Sequence, residues 1–373
     1  MNGIEAGFDE IIQSTGPAAP GDELCLAPGW IDIQVNGFAG VDFNDPGVPL
    51  ERIAYAIGVL LSTGVTRFYP TVITGPPDAM IGALRNLAQA AASLPEGGAI
   101  DGFHVEGPHI SAGDDPRGAH PLRWVRPPDL EEFRRWQEAT EGRIRIVTIS
   151  PEWPEAPRYI ERIVSEGVVA SIGHTAASEQ QIADAVSAGA TLSTHLGNGG
   201  PRTMPRHPNY LWQQLAEDRL MADFIVDGIH LPGSFVKTAI RAKGVQRSVL
   251  VTDAAAPAGA APGRYRLGEQ TVDLTPDQRV VLAGEDRLAG SALRMDRAIE
   301  NVMRLAGVTL AEAIAMATVN AARAGNVPGR LQGLAPGDRA DFVQFRYTPE
   351  IPRIEVVSTW IDGRRVYPPG SSN

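Results

Sequence analysis

The feature that most constrains this chain is a rhythm that recurs eight times between Pro28 and about Pro257. A short apolar run ends in polar residues, and a helix-like segment follows before the next run. The runs end at Asn36 ("PGWIDIQVN"), Thr71 ("GVTRFYPT"), Glu106 ("IDGFHVE"), Glu152 ("IRIVTISPE"), His174 ("VVASIGH"), His195 ("ATLSTH"), His230 ("MADFIVDGIH") and Asp253 ("SVLVTD"). Between them, segments such as Ile81–Leu94 and Glu179–Ala188 carry alanine and leucine at helical spacing. Eight strand-then-helix units in order predict an α/β fold, a closed parallel (β/α)8 TIM-like barrel. An open doubly wound sheet is the alternative, because a linear pattern carries no information about closure.

Beyond the eighth run the rhythm breaks. Residues Gly263–Leu288 read as short antiparallel strands ("RYRLG", "TVDL", "RVVLAG"), followed by helical runs over Leu293–Ala306 and Leu310–Arg323. The tail, "ADFVQFR" and "EVVSTWIDGRRVYPP", reads as a β-hairpin region with Asp362-Gly363 as a turn. Residues 1–27 are too few and too rich in Pro and Gly for a domain of their own. They are expected to join residues 330–373 in a small β-sandwich-like layer beside a hydrolase barrel spanning 28–329.

The formal charge of −11, without a long run of like charge, argues against a nucleic-acid face. The single cysteine, Cys25, excludes an internal disulfide framework and fits a reducing compartment. No basic-then-apolar leader and no apolar run of bilayer length is present, so a cytoplasmic protein without membrane partners is expected.

Working residues of such barrels sit at the carboxyl ends of the strands. Here those ends carry Gln34 and Asn36, Glu106, His174, His195, His230 and Asp253. One carboxylate and two imidazoles (Glu106, His174, His195) with an open position is the ligand set of a catalytic zinc-type site. Asp253, on the last strand, falls near that open position, where it can take a proton from water and return it to a leaving group. His104 shares a face with Glu106 but lies deeper, which reads as supporting or core. His109 and His207 fall in loops and read as solvated. Glu152 is either a further ligand or a cap on the following helix.

The stretches "PGWIDIQVNG", "HVEGPHIS", "RGAH", "SIGHT", "STHLGN", "DGIH", "VTDAAAPAG" and "LAGSAL" run in order from about residue 28 to 345. Together they resemble the successive motifs of N-acetylglucosamine-6-phosphate deacetylases of the amidohydrolase superfamily. The resemblance implies hydrolysis of N-acetylglucosamine 6-phosphate to glucosamine 6-phosphate and acetate, by a homodimer. Many amidohydrolases hold a second metal with a His-x-His pair at the end of strand one; here that place reads Gln34-Val35-Asn36. Neutral amides are poor zinc ligands beside imidazole and carboxylate. One divalent ion per chain is therefore expected, zinc first, with Fe, Co, Mn or Cd as alternatives.

The resemblance also implies substrate contacts. His230, in "DGIH" with Asp227, matches the histidine that touches the sugar and polarises the acetamide carbonyl. Ala119-His120 and Asn198-Gly199 match substrate-contacting pairs, the latter through backbone amides near the phosphate. Arg206 matches a phosphate-binding arginine, and Leu288-Ala289-Gly290 the loop that closes on the acetyl group. One stretch departs from the family. Where it usually reads a hydrophobic residue and then Asn-Ala-Met, this chain reads Gly197-Asn198-Gly199-Gly200-Pro201. Extra glycines permit other backbone angles and remove side-chain walls. Two rivals follow: a deacetylase of an unphosphorylated N-acetyl hexosamine or other acylated amine, and a catalytically silent sugar-phosphate-binding barrel.

Overall fold

A computed structural model describes residues 4–17 and 24–369. All eight expected runs are strands: β1 Trp30–Val35, β2 Val65–Ile73, β3 Phe103–Glu106, β4 Ile144–Ile149, β5 Val169–Ile172, β6 Leu192–Ser193, β7 Met221–Ile225 and β8 Ser248–Val251. They lie in sequential order in one sheet. Each neighbouring pair is parallel. The seam between first and last closes just beyond β8, where Asp253 N–H donates to Gln34 O (3.0 Å) and Asn36 N–H to Ala254 O (2.7 Å). The barrel is therefore closed, and the open-sheet alternative falls.

Several strands stop short of the polar residues expected to end them. β5, β6 and β8 end before His174, His195 and Asp253, whose φ angles are 48°, 29° and 50°. A non-glycine residue in that region turns the chain out of a β ladder. β4 ends at Ile149 rather than Glu152, and β7 at Ile225, so His230 stands in the loop beyond.

The helices form because each repeats apolar residues on one face. Leu50–Leu61 buries Ile53, Ala56, Ile57, Leu60 and Leu61, a 3.6-residue stripe against the barrel. The expected helix over 81–94 begins earlier, at Pro77, where proline suits a first turn, and runs to Ser93. Glu179–Ser187 starts with a reciprocal cap between Ser178 and Gln181. The run expected over Leu310–Arg323 is two helices, Leu310–Met316 and Val319–Gly325. At the break the Thr318 hydroxyl donates to Ile314 O (2.7 Å), drawing a carbonyl away from the helical ladder.

The residues after β8 form an antiparallel sheet of Gly263–Leu267, Gln270–Leu274 and Val280–Leu282. The terminal segments also meet as expected. Cys25–Pro28 pairs with Phe342–Thr348, which pairs with Arg353–Ile361 and through it with Arg364–Tyr367. Asp362 and Gly363 turn the last hairpin with φ of 47° and 73°, the positive pair that a tight hairpin turn favours. A separate hairpin, Ile4–Phe8 with Ile12–Pro17, joins this layer through Ile12, which packs on Ala340 and Phe342.

A buried ion cluster ties the layer to the barrel. Arg67 on β2 and Arg330 both pair with Asp341, at 2.6 and 2.8 Å, and all three side chains are at most 1% exposed. Burial by itself would raise the Asp341 carboxyl, but the two guanidinium groups hold it below the usual carboxylate range. Asp341→Ala strands two buried cations, and we expect it to lower unfolding free energy by about 3–5 kcal/mol in denaturant titration. Because the folded-state pKa is depressed, the contribution of Asp341 is full above the unfolded value near 4 and falls away as pH drops below it. Wild type and variant should therefore converge in acid. A variant with wild-type stability at neutral pH contradicts this account.

Candidate active site at the carboxyl ends of the strands

Glu106, His174 and His195 converge as the sequence implies. Glu106 Oε1 lies 3.1 Å from His174 Nε2 and 2.9 Å from His195 Nε2, and the two nitrogens are 3.1 Å apart. His174 Nδ1 faces Pro116 O at 2.8 Å. A carbonyl only accepts, so Nδ1 carries the proton and Nε2 presents its lone pair to the cluster. A tetrahedral ion with bonds of 2.0–2.1 Å spaces its donors roughly 3.4 Å apart, a small expansion of this cluster. The electrostatics also call for positive charge. Burial by itself would raise Glu106, but the bonds and charges of His174 and His195 hold it well below the carboxylate range. Burial by itself would depress His195, but Glu106 raises it to about 9. A divalent cation fits the point on which these three donors converge.

The two amides of β1 now have a physical role. Gln34 Nε2 donates to Glu106 Oε1 (2.9 Å) and Asp253 Oδ1 (3.2 Å), and Asn36 Nδ2 donates to Asp253 Oδ1 (2.6 Å). The amide orientation follows from the acceptors, since carboxylates cannot donate. N–H groups, not oxygens, therefore face the carboxylates, and they let two acids share one buried site. Asp253 is raised to about 6 by burial and by the charge of Glu106. Both amide bonds end on its Oδ1, leaving Oδ2 free of them.

His230 stands on the β7 loop, its Nδ1 2.6 Å from Asp227 Oδ2. Asp227 Oδ1 accepts the backbone N–H of Ile229 and of His230, each at 2.8 Å. One carboxylate thus shapes the turn and orients the ring. His120 is buried, bonds Thr74 Oγ1 (2.9 Å) and packs its ring edge-on to His174. Ala119, His120, Asn198, Gly199, Leu288, Ala289 and Gly290 all line one cavity with Glu106, His174, His195, His230 and Asp253. Arg206 is not in that lining; it is exposed on the loop before the Tyr210–Ala216 helix. Asn198 N–H is spent on His195 O (2.9 Å), which leaves Gly199 as the backbone donor of that pair.

The extra glycines do not open the wall. A Cβ on Gly199, whose φ is +57°, would stand 2.9 Å from His174 Nδ1; one on Gly200 would stand 2.0 Å from the Tyr210 hydroxyl. The space that glycine vacates is filled by the His174 and Tyr210 rings. His104 is buried beneath the site, bonded to Ile33 O (3.1 Å) and Thr148 Oγ1 (2.7 Å), as its supporting reading requires. His207 is exposed. His109 is not solvated: it is 0% exposed, packed between Trp136 and Tyr159, and burial pushes it to about 4. Its loop folds inward against two helices, a contact with no local signal. Glu152 is neither ligand nor helix cap; it accepts from Ala176 N–H (2.9 Å) and Ser150 Oγ (2.8 Å), joining the loops after β4 and β5. Sequence reasoning passed over Leu267 and Gln270, which reach the cavity from the added sheet. It also passed over Asp223, whose carboxylate accepts the His195 backbone N–H.

A closed (β/α)8 barrel with one carboxylate and two imidazoles at its strand ends is the plan of a hydrolase built around a bound metal. The amidohydrolase family description matches residues 25–366, and the chain belongs to that family. Within it, the chain is 33% identical to the N-acetylglucosamine-6-phosphate deacetylase of Bacillus subtilis, over 87% of this chain and 81% of the relative. It is 34% identical to the N-acetylgalactosamine-6-phosphate deacetylase of Escherichia coli O157:H7, over 92% and 88%. The N-acetyl-D-glucosamine-6-phosphate deacetylase of Mycobacterium smegmatis, solved as a mutant with N-acetyl-D-glucosamine-6-phosphate, superposes with a TM-score of 0.86 at 31% identity, covering 96% and 93%.

Gly199→Ala forces a side chain onto the His174 ring at a left-handed backbone position. We expect a loss of about 1–3 kcal/mol in unfolding free energy, with weaker metal retention. Gly142→Ala shares a positive φ, but its Cβ meets no heavy atom within 4 Å, so it isolates the backbone cost. Equal losses in the two variants contradict the proposed contact.

Proposed function

We propose that this chain removes the acetyl group of an N-acetylhexosamine 6-phosphate, N-acetylglucosamine 6-phosphate first, releasing acetate and the free amine. The observation that carries the reading is a complete proton-handling carboxylate, Asp253, beside the Glu106–His174–His195 cluster in one cavity. Binding alone needs no such group, which disfavours the silent-barrel rival. The filled space over Gly199 and Gly200 disfavours the unphosphorylated rival, which needed a widened pocket.

We assign the ion site to Glu106, His174 and His195, with one ion per chain and zinc as the best match to one oxygen and two nitrogens. When bound, it supplies Lewis-acid polarisation of the acetamide carbonyl and of the attacking water. Asp253 Oδ2 takes the water proton and returns it to the leaving nitrogen, while Gln34 and Asn36 hold Oδ1. His230 gives Nδ1–H to Asp227, so it can donate from Nε2 to the developing oxyanion only as the imidazolium. Ala119, His120, Leu288, Ala289 and Gly290 wall the sugar and acetyl group. For the phosphate, the geometry favours Gly199 N–H; Asn198 contributes by shaping the loop, and Arg206 meets an anion only by turning inward from its exposed position. A cytoplasmic homodimer completes the proposal; among the described residues no helix is long and apolar enough to cross a membrane.

A second reading has its own support. The Escherichia coli relative named for the galactosamine epimer matches as well as the glucosamine enzymes do. Acetate release from both 6-phosphates and from both free sugars decides among these. We expect activity on a 6-phosphate and at least ten-fold lower kcat/KM on free sugars, since a lost charge-assisted bond costs about 1.5–3 kcal/mol. A preference for free sugar would reverse the assignment. Metal analysis should find close to one divalent ion per chain, and Glu106→Ala should abolish its retention. Two ions at full occupancy would instead recruit Gln34 or Asn36. Asp253→Asn should keep ion and fold yet lose on the order of 10²–10⁴-fold in kcat.

A further inference from the structure

The added sheet breaks its own pattern at one residue facing the cavity. Gly263–Leu267 and Gln270–Leu274 pair so that Tyr265 stands opposite Val272 and Leu267 opposite Gln270. Cross-strand partners share a face, and residues two apart return to it. Tyr265, Leu267, Gln270, Val272 and Leu274 therefore form one face, and Arg264, Arg266, Thr271 and Asp273 the other. The first face turns inward: Leu267, Val272 and Leu274 are buried in a small cluster with Ala255 and Ala289. At Gln270 the inward position is given to a carboxamide, where the alternation calls for an apolar side chain.

The fold does not use that carboxamide. Its one side-chain hydrogen bond among the described residues is from Nε2 to Ala119 O at 3.4 Å, at the outer limit of such bonds. Its neighbours in the turn are held firmly. Gly268 N–H donates to Asp42 Oδ2 (2.6 Å), and Glu269 Oε2 accepts from Arg123 (2.5 Å) and Trp124 Nε1 (2.7 Å). Gln270 is thus carried on a pinned turn and lines the cavity that holds Asp253 and His230. Three neighbouring donors there are already spent: Asn36 Nδ2 on Asp253, Asn198 Nδ2 on His195 O, and the Nδ1 side of His120 on Thr74.

We infer that Gln270 is a substrate-contacting, specificity-determining residue whose carboxamide reads the hydroxyls of the hexosamine ring. A carboxamide both donates and accepts, as a sugar hydroxyl does, so one side chain can pair with a hydroxyl in either sense. A hydroxyl of the wrong configuration leaves the amide enclosed without a partner, which penalises the wrong epimer rather than merely failing to reward it. This inference rests on the deacetylase reading above.

The test is steady-state kinetics of the full chain on N-acetylglucosamine 6-phosphate and N-acetylgalactosamine 6-phosphate, with wild type, Gln270→Leu, Gln270→Asn and Arg264→Ala. Gln270→Leu should raise KM for the preferred epimer by about 10–100-fold, with a smaller change in kcat, and should bring the two epimers closer in kcat/KM. Gln270→Asn keeps the amide and should recover part of the loss. Arg264→Ala, on the outward face, should leave both constants near wild type. The thermal midpoint of Gln270→Leu should hold or rise, because an apolar side chain suits that face. A Gln270→Leu variant with wild-type KM and wild-type epimer ratio overturns the inference, as does a KM change that tracks a fall in the midpoint. A wild type inactive on both sugars overturns the deacetylase reading and this one together, so the two failures are distinguishable.

Discussion

The seam between β1 and β8 is the constraint on which the rest of the site depends. Backbone bonds from Asp253 to Gln34 and from Asn36 and Gly37 to Ala254 close it, and Asp32 reinforces it by accepting the Thr252 hydroxyl at 2.6 Å. Asp32 is fully buried, and burial raises it to about 7 while the Thr252 and Gln34 bonds work against that rise. Closure removes the exposed edges that an open parallel sheet would present. It also carries Asp253, from the end of the chain's barrel, to the side chains of Gln34 and Asn36 at its start. Without the seam, the amides and the acid they orient would stand at opposite edges of a sheet.

The site concentrates charge that a barrel interior would otherwise exclude. Glu106, Asp253 and Asp223 lie within one buried neighbourhood, and the protein balances them by different means. Glu106 has two imidazoles; Asp253 has two amides; Asp223 has the His195 backbone N–H. His174, His195 and Asp253 also share a left-handed backbone at the point where their strands stop. Such positions cost of order 1–3 kcal/mol each and persist only where surrounding structure enforces them. Strain and buried acidity gather in one cavity, the pattern of a reactive site rather than of one shaped for stability.

The residues that sequence reading placed well are those whose position follows from counting along a strand. Glu106, His174, His195 and Asp253 were legible because each lies at or just past the end of an apolar run, and a parallel barrel gathers such ends. The turn at Asp362-Gly363 was legible for a similar reason, since the chemistry and the geometry sit within a few residues. His109 and Glu152 were misread because their partners come from distant helices and loops. The Leu310–Arg323 run was misread at Thr318, where a single hydroxyl competes with the backbone. The glycines after His195 were read as an opening, while Tyr210 and His174 fill the space they leave.

By itself the sequence determined the kind of fold and which carboxylate and imidazoles would gather at the strand ends, because periodicity and strand-end chemistry are local properties of the chain. Only the tertiary structure decided which imidazoles touch Glu106, which amide faces which acid, and which loop reaches the cavity. Those outcomes depend on distances between segments far apart in the chain, such as Gln34 to Asp253 and Ala119 to Gln270. Hydrogen bonds act over about 3 Å, so a pattern that places an element correctly still leaves open what its side chains touch.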